Sequence, residues 1–164
     1  MAETDSNVTV DVQEPQPEEE IRVCLFNIGE DLYAIPVEQL TEIIIPQKIF
    51  PVPTTPPLVL GIINLRGNII PIIDIRQMLS SSEQASSIGY IAVVKYGMMT
   101  IGFVVDSVTE VASVPISSIL TIPADYRGQA GMNRSRFFKG IIQREAGLAA
   151  LLNVDRIFEE IKVA

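Results

Sequence analysis

The chain has one cysteine, Cys24, and no histidine. Histidine is the usual general base near neutral pH and the commonest metal ligand. Its absence removes serine–histidine and cysteine–histidine nucleophile systems together with histidine-based metal sites. A nucleophilic cysteine needs exposure and a positive neighbour, yet Cys24 stands between Val23 and Leu25-Phe26, which reads as a buried strand thiol. A lone cysteine also excludes an internal disulfide and a cysteine-rich zinc site, as in a protein of the reducing cytoplasm. Ser80, Ser81 and Ser82 have no base near them in sequence. There is no phosphate-binding glycine loop, no dinucleotide fingerprint and no carboxylate pair at a spacing suited to acid–base work. Asp74, Asp106 and Asp155 read as turn and cap residues. The expectation is a non-enzyme with no cofactor and no metal.

Arg66 offers recognition chemistry instead. It lies in Asn64-Leu65-Arg66-Gly67-Asn68 between two apolar runs. Gly67 permits positive φ or the close approach of a partner. An arginine held in a tight turn presents a planar fork suited to carboxylates or carbonyls, and arginine is enriched at binding hot spots. The surrounding stretch 58–75 is long enough to suggest a membrane span. Arg66 near its middle costs at least ~2.5 kcal/mol in a bilayer, and Asn64 and Asn68 add to that. A hairpin is therefore expected, with no direct membrane insertion.

The elements that hold this turn repeat along the chain. Residues 22–44 align without gaps on 90–112, matching Gly29 with Gly97, Thr41 with Thr109 and Glu42 with Glu110. Residues 61–75 align on 140–154, matching Gly61 with Gly140 and Asp74 with Asn153. The first offset is 68 and the second 79, so the second copy carries a longer connector within 113–139. Each copy offers four or five short strands rich in Val, Ile and Leu with Gly-centred turns, the pattern of a small barrel. A half of this length is marginal alone, so two halves packed together are expected.

Five prolines between Pro46 and Pro57 make that segment an extended strap rather than a central strand. Residues 80–87, SSSEQASS, read as a flexible linker. Residues 127–144 carry Arg127, Arg134, Arg136, Lys139 and Arg144 and no acid. Asn153 is placed to cap a helix over about 154–162, with Ile157, Phe158 and Ile161 on its apolar stripe. The net charge is −8, but residues 1–20 hold seven acids and no base, against 13 acids and 12 bases in the remainder. Residues 1–20 are thus expected to be a disordered acidic tail, and 21–164 one domain with halves at about 21–79 and 88–164. The tail folding back on the basic stretch is a further expectation.

Small β-barrels also bind nucleic acid. Aromatics make up only 6%, no basic strand is interleaved with them, and a near-neutral body gives weak phosphate attraction. Nucleic acid is the rival class, and it is not expected as a partner. Protein-binding is the class left standing.

At this point the motifs become specific. GIINLRGNIIPIIDIR (61–76) resembles the signature G-x-x-N-L-R-G-x-x-x-P-x-x-D-L of CheW-like coupling domains. YAIPVEQLTEI (33–43), IGFVVDSVTEV (101–111) and the segment from Phe138 to Phe158 agree with the same family. The resemblance covers about 22–160. It implies an all-β fold of two SH3-like five-stranded barrels side by side and no catalysis. It implies an adaptor joining methyl-accepting chemoreceptor tips to the regulatory domain of a chemotaxis-type histidine kinase, with barrel pairing into rings or arrays. The receptor's helical tip would lie in an apolar groove between the barrels. By motif, Arg66 and Glu42 would be the polar contact residues, with Leu40, Gly61 and Gly67 beside them. The protein would be cytoplasmic and recruited to membrane receptor arrays. An adaptor of type IV pilus twitching or of phototaxis is the alternative pathway. Nothing carries over to the acidic tail or to the basic insertion.

Overall fold

The repeat is visible in the order of elements. The computed structural model describes residues 19–79, 88–122, 135–145 and 147–163. The first copy runs β1 (Glu20–Ile28), β2 (Asp31–Pro36), a 3₁₀ turn, β3 (Leu40–Ile44), β4 (Val59–Leu65), β5 (Asn68–Ile73) and α1 (Arg76–Leu79). The second runs β6 (Tyr90–Tyr96), β7 (Met99–Val105), β8 (Ser107–Pro115), a 3₁₀ turn, β9 (Phe138–Arg144), β10 (Gly147–Leu152) and α2 (Val154–Val163). Glu20 already belongs to β1, so the body begins one residue before the expected boundary. Residues 1–18 of the acidic tail, the 80–87 linker and the basic residues Arg127 and Arg134 lie outside the described residues. From Phe138 the basic stretch is strand.

The strands form two five-stranded sheets, in the orders β8-β1-β2-β10-β9 and β3-β6-β7-β5-β4. This is the expected all-β pair of five-stranded units, with one correction. The halves of the sequence are not the two units: each sheet takes one hairpin from one half and three strands from the other. Pro36 ends β2, and its missing N–H cannot extend the ladder. The 3₁₀ turn Val37–Gln39 then redirects the chain so that β3 pairs with β6 of the other sheet. In the second copy β8 crosses over to pair with β1.

Each sheet closes on itself through the strap that follows one of its outer strands, β3 or β8. Phe50 N–H donates to Ile62 O at 2.8 Å and Ile62 N–H to Phe50 O at 2.9 Å, joining the β3 side to β4. Leu120 and Ile141 do the same in the other barrel, at 2.8 and 2.9 Å. Gly61 makes the first closure possible. It has φ +148°, and a Cβ there would stand 2.4 Å from the Phe50 carbonyl oxygen.

Three apolar cores result. Val23, Leu25, Ala34, Ile142 and Leu151 fill one barrel, and Ile63, Ile72, Ile91, Val93 and Val104 fill the other. A third core lies between them, built from Phe26, Tyr33, Ile73, Val94, Phe103, Leu152 and Phe158 among others. In β6, Ile91 and Val93 enter a barrel while Ala92 and Val94 enter the shared core. Burial on both faces explains the unbroken apolar runs, and each fully buried aliphatic or aromatic side chain contributes about 1.5–3 kcal/mol. Helix α2 caps the shared core with Ile157 and Phe158, and Asn153 Oδ1 accepts the Arg156 N–H at 3.1 Å as the predicted N-cap.

Candidate functional site

The β4–β5 hairpin turns on Arg66 at φ 51° and Gly67 at φ 90°. Asn64 Oδ1 accepts the Gly67 N–H at 2.9 Å and pins the turn. Two successive positive φ values are what a tight two-residue hairpin turn requires, and the arginine bears the strain of the non-glycine position. From this turn the Arg66 guanidinium reaches back to the Glu42 carboxylate on β3. β3 and β4 are the two outer strands of their sheet, so the pair stitches the open side of that barrel. Arg66 remains 67% exposed and Glu42 29% exposed; the arginine is the member offered to solvent, with its orientation set by the glutamate.

The structure thus joins the two polar residues singled out by motif and places Gly67 beside them with open space around its α-carbon. The other two have different duties. Leu40 is half-buried against the shared core. Gly61 is buried beneath the strap, where it admits the Phe50 carbonyl, so barrel closure and not a surface contact accounts for it. Apolar side chains fill the space between the sheets, and a cleft of about 400 Å³ among the described residues is polar, lined by Glu38, Gln39, Lys95, Tyr96, Lys139 and Asp155. The exposed apolar residue nearest the arginine in sequence is Ile69 on β5, across the ladder from Asn64.

Sequence reasoning missed that this surface has a twin. On the other barrel Arg144 of β9 pairs with Glu110 of β8 at 2.8 Å, again between the outer strands, and exposed Leu148 stands where the repeat places Ile69. The exposures are reversed: Arg144 is 28% and Glu110 49% exposed. The Glu42–Glu110 match was legible in the repeat. The arginines were not, because the offset of 79 sets Arg66 against Glu145, one residue past Arg144.

It missed a buried network as well. Asp74 and Arg76 are 3% and 7% exposed. Arg76 Nε donates to Asp74 Oδ1 at 2.8 Å and Nη2 to Oδ2 at 3.1 Å, and the Arg76 backbone N–H donates to Oδ1 at 3.0 Å. Nη1 lies 3.7 Å from Asp106 Oδ1. Asp106 in turn accepts the Gly29 N–H and donates its own N–H to Asn27 O at 2.9 Å. The hydrogen bond to Asp74 holds the guanidinium above its ordinary pKa, against the pull of burial. Asp74 and Asp106 are therefore more than turn residues. Asp155 lies in the first turn of α2 and accepts a hydrogen bond from Gln39 at 3.1 Å. Cys24 is buried, and burial raises its thiol pKa. No group of three or more potential metal ligands occurs among the described residues, and no helix among them is long and apolar enough to cross a membrane.

Comparison with known proteins follows the same outline. The family model described as a CheW-like domain matches residues 22–162. The chain is 32% identical over 145 residues to the chemotaxis protein CheW of Thermotoga maritima, covering 88% of this chain and 91% of that protein. It is 31% identical to the Helicobacter pylori protein of the same name, covering 87% and 84%. Protein FrzA of Myxococcus xanthus matches at 26% identity, covering 88% of each. Among solved structures, the scaffolding protein TtCheW from Thermoanaerobacter tengcongensis superposes with a TM-score of 0.72 at 26% identity, over 82% of this chain and 90% of that one.

Proposed function

The chain belongs to the CheW-like family, and from that premise we propose that it is a non-catalytic adaptor coupling chemoreceptor signalling tips to the regulatory domain of a histidine kinase. The observation that carries the site is the exposed Arg66 guanidinium, oriented by Glu42 on a hairpin that also exposes Ile69. A guanidinium beside aliphatic surface suits a helical partner that offers a carboxylate or helix-end carbonyls among apolar side chains. Arg66, Glu42 and Gly67 make up this contact, with Leu40 and Gly61 supporting the barrel beneath it. The relatives named as chemotaxis and scaffolding proteins support the coupling role. Barrel-to-barrel pairing into rings or arrays and recruitment to membrane receptors belong to the same reading.

Co-sedimentation with a receptor signalling fragment and the kinase tests it. The wild-type chain is expected to bring down both partners, and Arg66→Glu to lose the receptor while the kinase still binds. Wild-type binding to neither partner overturns the adaptor reading. An Arg66→Glu chain that binds like wild type overturns only the site. One second reading, an adaptor of a twitching or phototaxis pathway, is consistent with the match to FrzA, which spans as much of the chain as the Thermotoga relative. Offering kinases of each pathway in the same experiment separates the two.

A further inference from the structure

The two barrels meet at two seams that the internal repeat relates. At the first, the β1–β2 turn at Gly29 meets Asp106, and Arg76 reaches in behind it. The repeat offsets map Gly29 to Gly97, Asp106 back to Glu38 and Arg76 to Asp155. These counterparts line the polar cleft. One seam is thus filled by a buried guanidinium between two carboxylates, and the other is an open cleft with a carboxylate where the guanidinium would be.

We propose that Arg76 is a positioning residue that fixes the pose of one barrel against the other. The shared core holds the barrels together, but apolar burial is non-directional and does not by itself single out one angle between them. The guanidinium is directional. Its fork is set by the paired bonds to Asp74 at the end of β5. Its third arm meets Asp106, at the crossing from β7 of one sheet to β8 of the other. Asp106 is bonded to the β1–β2 hairpin of the second sheet. A single side chain therefore ties a strand end of one barrel, the crossover and a hairpin of the other. The open cleft on the opposite seam leaves room for the barrels to rotate once that tie is cut. The functional consequence rests on the adaptor reading: partners engaged on the two barrels are held in a fixed relation only while Arg76 is in place.

Double electron–electron resonance tests the pose directly and needs no partner. Spin labels go on Thr100→Cys in β7 and Gln143→Cys in β9, exposed positions on different sheets. Cys24 is spared labelling because it is buried and its thiol pKa is raised. The parent is expected to show one narrow distance, and both Arg76→Gln and Arg76→Lys, which keeps the charge but not the fork, a widened or split distribution at unchanged secondary structure. Asp106→Asn removes only the arm between barrels, serves if Arg76→Gln does not fold, and is expected to widen the distribution too. A folded Arg76→Gln or Asp106→Asn chain with the parent's narrow distance overturns the proposal. In partner binding, Arg76→Gln is expected to keep each binary affinity and lose the ternary complex. Failure of the parent to bind either partner counts against the adaptor reading and leaves the distance measurement to judge the pose.

Discussion

The two seams begin from repeat-related positions and end as opposites. One is a closed junction in which the buried Arg76 guanidinium lies between Asp74 and Asp106. The other is an open polar cleft in which Asp155 keeps a hydrogen bond from Gln39. The change from arginine to aspartate between corresponding sites separates them. Once duplicated, one contact could specialise in rigidity while the other was free to stay open, and the shared core meanwhile kept both halves folded. The twin ion pairs tell a similar story on a smaller scale. Both stitch a barrel, but one offers its arginine to solvent and the other its glutamate.

Substitution can break this contrast or sharpen it. The largest effect is expected at the closed seam. Arg76→Met strands the buried Asp74 carboxylate, and loss of one partner from a buried pair costs about 3–5 kcal/mol. Asp155→Ala at the open seam should cost under about 1 kcal/mol, the scale of a single hydrogen bond. Urea unfolding of the two variants measures both; equal losses would erase the distinction between the seams.

Next come the straps. Gly61→Ala brings a Cβ to 2.4 Å from the Phe50 carbonyl at φ +148° and should cost about 3 kcal/mol from strain and overpacking together. Gly140→Ala meets Ile119 Cγ2 at 2.5 Å and Leu120 O at 2.8 Å without a positive φ, and about 1–3 kcal/mol is expected there. Thermal midpoints should rank Gly61→Ala below Gly140→Ala, and the reverse order would mean that backbone conformation matters less than the clash.

Smaller still are the stitches. Arg66→Ala and Arg144→Ala remove partly exposed pairs and should each cost under about 1 kcal/mol. A receptor fragment should nevertheless distinguish them, losing affinity for the first and not for the second. The smallest effect belongs to Cys24, whose repeat counterpart is Ala92. Its thiol pKa is raised in the fold by burial, so the folded chain holds the proton more tightly than the unfolded chain. The associated stability is complete at neutral pH and declines as pH climbs past the ordinary thiol value of 9.0. Cys24→Ala, which copies the other half, should abolish that decline in urea titrations run above pH 9.

Much of this architecture could be read in advance, because hydrophobic runs, glycine turns and self-alignment are local signals. Glu42 and Arg66 were legible through the motif as residues of one contact, though not as partners of each other, and Asn153 as a helix cap through its position before an apolar stripe. The exchange of strands between halves was hidden. It depends on where β3 and β8 travel after a short turn, and strand partners leave no mark on a single sequence. Asp74 and Asp106 were read as turn carboxylates at strand ends, which they are, but their second role stayed hidden for the same reason: only the fold brings Arg76 between them. Gly61 looked like part of a contact surface until the strap was seen to cross it.

The crossing of β3 and β8 bears on ancestry. A half-length chain that exchanged one hairpin with a second copy of itself would already possess both sheets and both seams, related by a two-fold axis. Joining two such subunits through a linker reproduces the present order of strands and makes the partner permanent. Symmetry then no longer constrains the two copies to be alike, and each can acquire its own cysteine, its own strap and its own charge on the outer strands.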